Sequence, residues 1–235
     1  MLLENNPFPQ DVRVYNEALS LTEAGYRVTV IAPRGEGQAR LGKVDGIEVR
    51  RFRLPASGDG ALALAMEFAI ATAKLSLAAL RALLGGAGVL HLHNPPDTLF
   101  PAALVARGLG RRVVFDHHDL TPELVGTRTG ASLPVRVARW CERRTFRAAT
   151  LVVSSNESYA EIARTRGGKR PEDVAVVRNG PKQATLSPGA EIRAGALSDP
   201  HLVYVGAVAT KDDVDDLPEV LAALRDEHGL AGSRL

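Results

Sequence analysis

The chain has 235 residues, of which 45% are hydrophobic and 24% charged, and its formal net charge at pH 7 is +2. This is the composition of a globular protein with enough apolar residues for a core. The small net charge argues against a general nucleic-acid binder. The single cysteine, Cys141, excludes an internal disulfide and fits a reducing cytoplasm. No basic region followed by an apolar run opens the chain, so we expect no signal peptide.

Strand and helix patterns alternate along the chain. Compact apolar runs predict strands over 26–32, 47–52, 88–92, 112–116, 150–154 and 174–178. Helical spacing predicts helices from Asp11 to Gly25 and over 62–84, 98–109, 134–148 and 159–166, whereas 34–46 has no helical pattern. Apolar strands joined by helical crossovers predict an α/β fold with a Rossmann-like, doubly wound parallel sheet. Ligands of such folds bind beyond the carboxyl ends of the strands.

The pattern also predicts a domain organisation. Residues 1–182 form the α/β domain, and 183–200, rich in Ala, Gly, Ser and Pro, form a linker. Residues 201–235 then contain one strand, 201–206, and one helix near 214–228. A single strand–helix unit cannot bury its own faces. We therefore expect a second domain that is incomplete in this chain, and a first strand, 1–4, that is shortened.

Two segments raise the question of membrane contact. The apolar stretch 61–84 carries Glu67, Lys74 and Arg81 seven residues apart, on one helix face, and these charges disfavour a membrane span. We interpret it as a mostly buried helix with one solvent-exposed charged face. A helix lying on a membrane surface is the alternative. A second segment is rich in arginine and fits either a solvated helix face or a site for anionic lipid or phosphate. Its members are Arg136, Arg139, Arg143, Arg144 and Arg147.

Several familiar site motifs are absent from the sequence. No G-x-G-x-x-G follows a strand, no G-x-x-x-x-G-K-[ST] is present, and no G-x-S-x-G occurs. The sequence therefore lacks the fingerprints of a nicotinamide-dependent enzyme, a P-loop nucleotidase and an α/β-hydrolase.

Polar side chains instead follow two predicted strands, in 91–97 (HLHNPPD) and 116–123 (DHHDLTPE). Strand alternation places His91 and His93 on one face and sends His117 and His118 to opposite faces. Such groups bind sugar hydroxyls or transfer protons near neutral pH, and a buried hydrogen bond is the structural alternative for each histidine. Zinc is a competing interpretation. Because adjacent strand residues diverge while metal ligands must converge, we expect no metal.

Several stretches resemble family 4 glycosyltransferases of the GT-B fold. Residues 6–14 (NPFPQDVRV), with Glu17 and 24–30 (AGYRVTV), are similar to the start of that family. The 93–97 and 116–123 segments match it as well. The segment 177–181 (VRNGP) resembles the junction into the second domain, and 202–206 (LVYVG) resembles that domain's first strand.

The resemblance implies two Rossmann-like domains facing each other across a cleft, of which this chain contains the N-terminal, acceptor-side half. The other domain holds the nucleotide-sugar donor, no metal or further cofactor is required, and transfer retains the anomeric configuration. It implies that His118 and Asp119 are catalytic, and that Gly206 and Lys211 contact the donor phosphates. It also implies a set of substrate-binding residues, namely Asp11, Arg13, Asn94, Asp97, Glu123 and Asn179.

The sequence departs from the family pattern in its last part. Asp213 stands where relatives tend to have glycine, and a carboxylate beside a diphosphate is unfavourable. In the family, a pair of glutamates seven residues apart lies later in the donor domain, and the sequence does not extend to them. We therefore expect weak donor binding and doubtful activity from this chain alone.

The resemblance predicts a cytoplasmic glycosyltransferase, with a peripheral position at the inner membrane face as a variant of this prediction. The enzyme would transfer a sugar from a nucleotide-sugar to a saccharide or lipid-linked acceptor in cell-surface polysaccharide or glycan assembly. Two alternatives stay open. One is a non-catalytic module that binds a saccharide or a protein partner, and the other is a nucleotide-sugar epimerase on a similar fold.

Overall fold

The computed structural model describes residues 1–54, 61–180 and 214–226. The chain divides into two units, Met1–Asn179 and Gly180–Leu235. In the second unit the description is limited to Gly180 and 214–226. The predicted linker 183–200 and the predicted strand 201–206 lie outside the described residues, as do Gly206, Lys211 and Asp213.

The strands agree with the predicted apolar runs, and one strand is added. They are β1 Thr29–Pro33, β2 Leu41–Val44, β3 Ile47–Phe52, β4 Val89–His93, β5 Arg112–His117, β6 Leu151–Ser154 and β7 Val174–Val176. The six strands predicted between residues 26 and 178 are all present, with bounds shifted by up to three residues. The addition is β2, which pairs antiparallel with β3. It was missed because β2 is largely exposed and so has no apolar run.

The sheet is otherwise parallel, with neighbours β1–β3 on one side and β4–β5–β6–β7 on the other. Leu2 joins the two sets, because it bridges in parallel to both Ile31 and Leu92. Its amide donates to the His91 carbonyl at 2.8 Å, and the Leu3 amide donates to the Ile31 carbonyl at 3.0 Å. The first residues therefore occupy the central position of the sheet that the fold requires.

The helices are α1 Val12–Glu23, α2 Ala61–Leu84, α3 Phe100–Gly108, α4 Thr121–Thr129, α5 Ser132–Ala148, α6 Glu157–Thr165 and α7 Leu217–Asp226. The side chain of Asp11 caps α1 by accepting from the Val14 amide at 3.1 Å. Gly25, at φ +86°, follows the end of α1 as predicted. Helix α4 was missed because its apolar residues lack a clear helical stripe. It ends at Gly130, whose φ is +61°.

Helices cover both faces of the sheet. On one face, α1 packs through Val14 and Ala18 onto a cluster that includes Val30 and Val49. On the other, α2, α3 and α5 pack onto a cluster that includes Phe115. The protein therefore has the Rossmann-like, doubly wound architecture predicted from the sequence.

Helix α2 is less buried than the sequence predicted. Ala71, Leu75, Ala79 and Leu83 are buried, but Leu62 and other apolar side chains on the opposite side of the helix are exposed. Within the described part of the chain, no helix is both long and apolar enough to cross a bilayer.

Candidate active site

The candidate site lies where β4 and β5 end beside the start of α1. The side chains of His91 and His93 share one face of the sheet, with ring centroids 4.3 Å apart. His117 points to the other face, where its ring centroid lies 4.9 Å from that of Phe146. His118 lies on the same face as His93, with ring centroids 6.2 Å apart. The predicted alternation of these histidines is confirmed, and it assigns His118 rather than His117 to the site.

Arg13 is the centre of the site's hydrogen bonds. Its guanidinium donates to both carboxylate oxygens of Asp116, at 2.8 Å from Nη2 and 3.0 Å from Nε. Its Nη1 donates to the Val177 carbonyl at 3.1 Å and to Asn179 Oδ1 at 2.5 Å. One buried side chain thus joins α1, the end of β5 and the segment that follows β7. The bidentate geometry is the strong form of an arginine–carboxylate interaction.

Three further groups crowd around Asp116. His93 Nδ1 lies 3.4 Å from Asp116 Oδ2, and His91 Nε2 lies 3.7 Å from Glu17 Oε2. Glu17 Oε1 in turn lies 3.2 Å from Arg13 Nε. The ring nitrogens of His93 and both carboxylate oxygens of Glu17 are buried without a hydrogen-bond partner in the described structure. The cluster is therefore held mainly by the Arg13–Asp116 ion pair and by the stacking of His91 on His93.

These groups bear on the sequence argument against a metal. Potential ligand atoms of Glu17, His91, His93 and Asp116 all lie within 4.8 Å of one another. That argument considered only adjacent strand residues, whereas the convergent side chains come from α1, β4 and β5. These four side chains therefore converge as the ligands of a divalent ion must. The Arg13 guanidinium, however, already places a positive charge against both acidic side chains of the group, Asp116 and Glu17.

Burial and mutual charge set the protonation of the cluster. Burial, followed by the charge of Asp116, raises the pKa of Glu17 to about 9. Burial also raises the pKa of Asp116, but hydrogen bonds with His118 and Arg13 and the nearby ring of His93 outweigh it, so this pKa lies below its ordinary value. Burial lowers the pKa of both His91 and His93. At neutral pH the cluster therefore contains neutral histidines, a protonated Glu17 and an ionised Asp116 paired with Arg13.

The loop that carries His118 and Asp119 is fixed by Asn94. The Asn94 Oδ1 atom accepts from the His118 amide at 2.9 Å and from the Asp119 amide at 3.2 Å. Its Nδ2 donates to the Asp119 carbonyl at 2.6 Å. The His118 Nδ1 atom lies 3.3 Å from Asp116 Oδ1. The ring of His118 is thereby oriented by a carboxylate, and its side chain remains 11% exposed.

The remaining predicted site residues have identifiable structural contacts. Asp97 is buried, and burial followed by the charge of Glu142 raises its pKa to about 8. Glu123 Oε1 pairs with Arg166 Nη1 at 2.7 Å. Asp11 caps a helix, and Asn179 binds Arg13. Asn94 is fully buried. Direct substrate contact by these five residues therefore stays a prediction.

Two members of the site, Glu17 and Asp116, were not predicted as site residues. Glu17 follows Arg13 by four positions, so the two share one face of α1. Asp116 is the last residue before the two histidines at the end of β5. Both signals are present in the sequence, but only the packing of α1 on the sheet brings these side chains together.

The structure is a doubly wound α/β domain with polar side chains at the carboxyl edge of its sheet. This is the architecture of the N-terminal half of a GT-B fold. The family model described as Glycosyl transferase 4-like domain matches residues 10–180. The chain belongs to this family. A search of curated protein sequences found no match.

One solved structure agrees in fold, and two others are similar at lower scores. Sucrose-phosphate synthase from Thermosynechococcus elongatus aligns with a TM-score of 0.59 at 14% identity, over 95% of this chain and 59% of that one. A putative UDP-N-acetylglucosamine 2-epimerase from Listeria monocytogenes aligns at 0.48 and 14% identity, over 74% and 43%. Glycyrrhiza uralensis UGT73P12 aligns at 0.49 and 10% identity, over 77% and 48%. The chain thus spans about half the length of these proteins.

Proposed function

We propose that the protein takes part in sugar transfer from a nucleotide-sugar donor to a saccharide or lipid-linked acceptor, with retention of anomeric configuration. The proposed setting is cell-surface polysaccharide or glycan assembly. Membership of the glycosyl transferase 4-like family supports the reaction class. The observation that carries the proposal is the orientation of His118 by Asp116 at the carboxyl edge of the sheet, where ligands of such folds bind.

The chemistry of His118 follows from its neighbour. The low pKa of Asp116 keeps this group a carboxylate, which can only accept a hydrogen bond. The Nδ1 atom of His118 therefore carries the proton, and Nε2 is left as the acceptor for a sugar hydroxyl. The family resemblance assigns this histidine to the donor sugar. Asp119, whose backbone is held by the same Asn94 side chain, is proposed to accept hydrogen bonds from neighbouring hydroxyls.

The same resemblance assigns the donor phosphates to Gly206 and Lys211. In the proposed enzyme the donor site belongs to the second unit and the acceptor site to the first. The contribution of the first unit is then to hold the acceptor and to present His118. No metal ion enters the proposed reaction.

The test is release of nucleoside diphosphate by the purified product of the complete gene. A panel of nucleotide-sugars is combined with saccharide and polyprenyl-linked acceptors, and the anomeric configuration of the product is read by NMR. We expect acceptor-dependent release that His118→Ala lowers by about 10²–10⁴. Absence of release with every donor and acceptor pair, from a protein that is folded, contradicts the proposal.

Two alternatives give different results in the same assay. A binding module retains saccharide on a glycan array but releases no nucleotide with any donor. An epimerase changes the donor sugar when no acceptor is present. Acceptor-dependent release that leaves the unreacted donor unchanged separates a transferase from both.

A further inference from the structure

The outer surface formed by α2, α3 and α5 has an unusual charge pattern. These helices pack side by side on one face of the sheet. They carry eight basic side chains, all exposed, and none forms an ion pair in the described structure. They are Lys74, Arg81, Arg107, Arg136, Arg139, Arg143, Arg144 and Arg147. The same helices contain two carboxylates, of which Glu67 is half-buried and Glu142 fully buried. The fully exposed charges of this surface are therefore all cationic, in a protein whose net charge is only +2.

Large apolar side chains are exposed among these cations. Ten of the protein's seventeen exposed large apolar side chains, counted over the described residues, lie on the three helices. They are Leu62, Met66, Leu77, Leu80, Leu84, Leu104, Val105, Leu133, Val137 and Trp140. An exposed apolar patch of this kind marks an interaction surface.

The apolar side chains are arranged in lines along the helices. On α2, Leu62, Met66, Leu77, Leu80 and Leu84 recur at helical spacing, so they form one stripe along a helix of about 36 Å. On α5, Leu133, Val137 and Trp140 form a second stripe.

Arginines lie directly beside the second stripe. The Arg144 guanidinium lies 5.1 Å from the ring centroid of Trp140, whose edge contacts Phe100 at the start of α3. The charge on this surface is therefore interleaved with the apolar groups.

A cavity continues the same surface. It has a volume of about 550 Å³ and lies between α2 and the strands β2 and β3. Lys74 and Arg81 of α2 line it together with Arg40 and Arg50, while Leu77 and Phe52 supply apolar wall. Its size is that of a small-molecule site, and its cations fit an anionic group.

We infer that the α2–α3–α5 surface docks onto an anionic phospholipid bilayer. Leucines and Trp140 enter the boundary between headgroups and acyl chains, and the arginines contact headgroup phosphates. Charge complementarity selects this occupant, because the described surface offers eight exposed cations against one half-buried carboxylate, that of Glu67. Nucleic acid complements the arginines but leaves two stripes of apolar side chains without a partner.

Docking is measured by the fluorescence of Trp140, which is the chain's only tryptophan and lies on the proposed surface. The full chain is titrated with vesicles of phosphatidylcholine alone and of phosphatidylcholine mixed with phosphatidylglycerol. We expect a blue shift with the anionic vesicles only, and a weaker one at high salt. No shift with anionic vesicles overturns the inference, as does an equal shift with both.

Matched variants separate the two parts of the surface. Arg136→Gln/Arg143→Gln is expected to lower partitioning at least about tenfold, since each arginine near an anionic surface contributes roughly fivefold. The control Arg27→Gln/Arg170→Gln, which removes two exposed arginines outside the three helices, should leave partitioning unchanged. An equal loss of partitioning in both double variants means that net charge alone drives binding. This result overturns the inference that the α2–α3–α5 surface is the docking site.

The variant Leu62→Gln/Leu84→Gln/Leu133→Gln tests the apolar stripes. These side chains are 75%, 73% and 67% exposed, so we expect the fold to be kept and bilayer partitioning to fall. Full binding by this variant, together with an equal Trp140 shift on adding polyglutamate or DNA, identifies a soluble-polyanion site and overturns the inference. Because no sugar transfer is measured, the outcome is independent of the proposed enzymatic function.

Discussion

Arg13 and Asp116 form a buried bidentate ion pair across 103 residues of sequence, with nitrogen–oxygen distances of 2.8 and 3.0 Å. The pair fixes the first helix of the domain to the strand end that carries His118. It also orients the carboxylate that accepts from the His118 ring. A single interaction thereby connects the stability of the domain to the geometry of its candidate site.

Replacing Arg13 alone should be costly, because Asp116 is left as an uncompensated buried carboxylate. We expect Arg13→Met to lower the free energy of unfolding by about 3–5 kcal/mol, measured by chemical denaturation. The double variant Arg13→Met/Asp116→Asn should lose less than the sum of the two single variants. The exposed pair Arg170–Asp173 is the control, and its removal should leave the denaturation midpoint almost unchanged. Additive losses at Arg13 and Asp116 would contradict a coupled pair.

The sequence predicted the fold well because the sheet is built from apolar runs. Those runs can be read one segment at a time, as in β3, whose predicted and observed bounds coincide. Elements without such a pattern were missed. The strand β2 is held by pairing with its neighbour, and α4 is held mainly by packing against α5.

The candidate site was less predictable, because it depends on contacts between distant segments. Strand alternation sufficed to separate His117 from His118. It did not show that Glu17, from a helix on the same face, lies against His91 and Arg13. Nor could periodicity show that the Asn94 side chain accepts hydrogen bonds from the backbone amides of His118 and Asp119.

The adjacent residues His117 and His118 should respond differently to replacement by alanine. His118→Ala removes a partly exposed group of the proposed site, so we expect turnover to fall by about 10²–10⁴ with little change in unfolding. His117→Ala removes a fully buried ring beside Phe146 and Glu142, so we expect a stability loss of about 1–3 kcal/mol. The folded fraction of that variant should still turn over. Equal losses of turnover in both variants would contradict the assignment of His118.

Chelation tests whether Arg13 supplies the charge that a metal would otherwise supply. Because its guanidinium contacts both Asp116 and Glu17, we expect nucleotide release by the complete protein to be unchanged after dialysis against EDTA. Added zinc should not stimulate it. If activity falls on chelation, returns with zinc, and is insensitive to zinc in His91→Ala, then the four convergent side chains are a metal site after all.

The raised pKa of Asp97 predicts a specific pH dependence of stability. The group stays protonated in the folded protein up to about pH 8, whereas the unfolded chain ionises it near the ordinary value of about 4. Across this window the folded state binds more protons, so this group lowers stability as the pH rises.

Asp97→Asn should therefore become more stable relative to the unmodified protein as the pH rises from about 4 to about 8. Chemical denaturation at a series of pH values measures this difference. Asp173→Asn is the control of opposite sign. Hydrogen bonding to Arg170 lowers the pKa of Asp173, so its contribution is present at neutral pH and is lost on the acid side. A constant difference between Asp97→Asn and the unmodified protein over the whole range would mean that Asp97 is ionised in the folded state. Its burial would then have to be balanced by its polar neighbours Thr121 and Asn94 and by the charge of Arg166, which favour the ionised form.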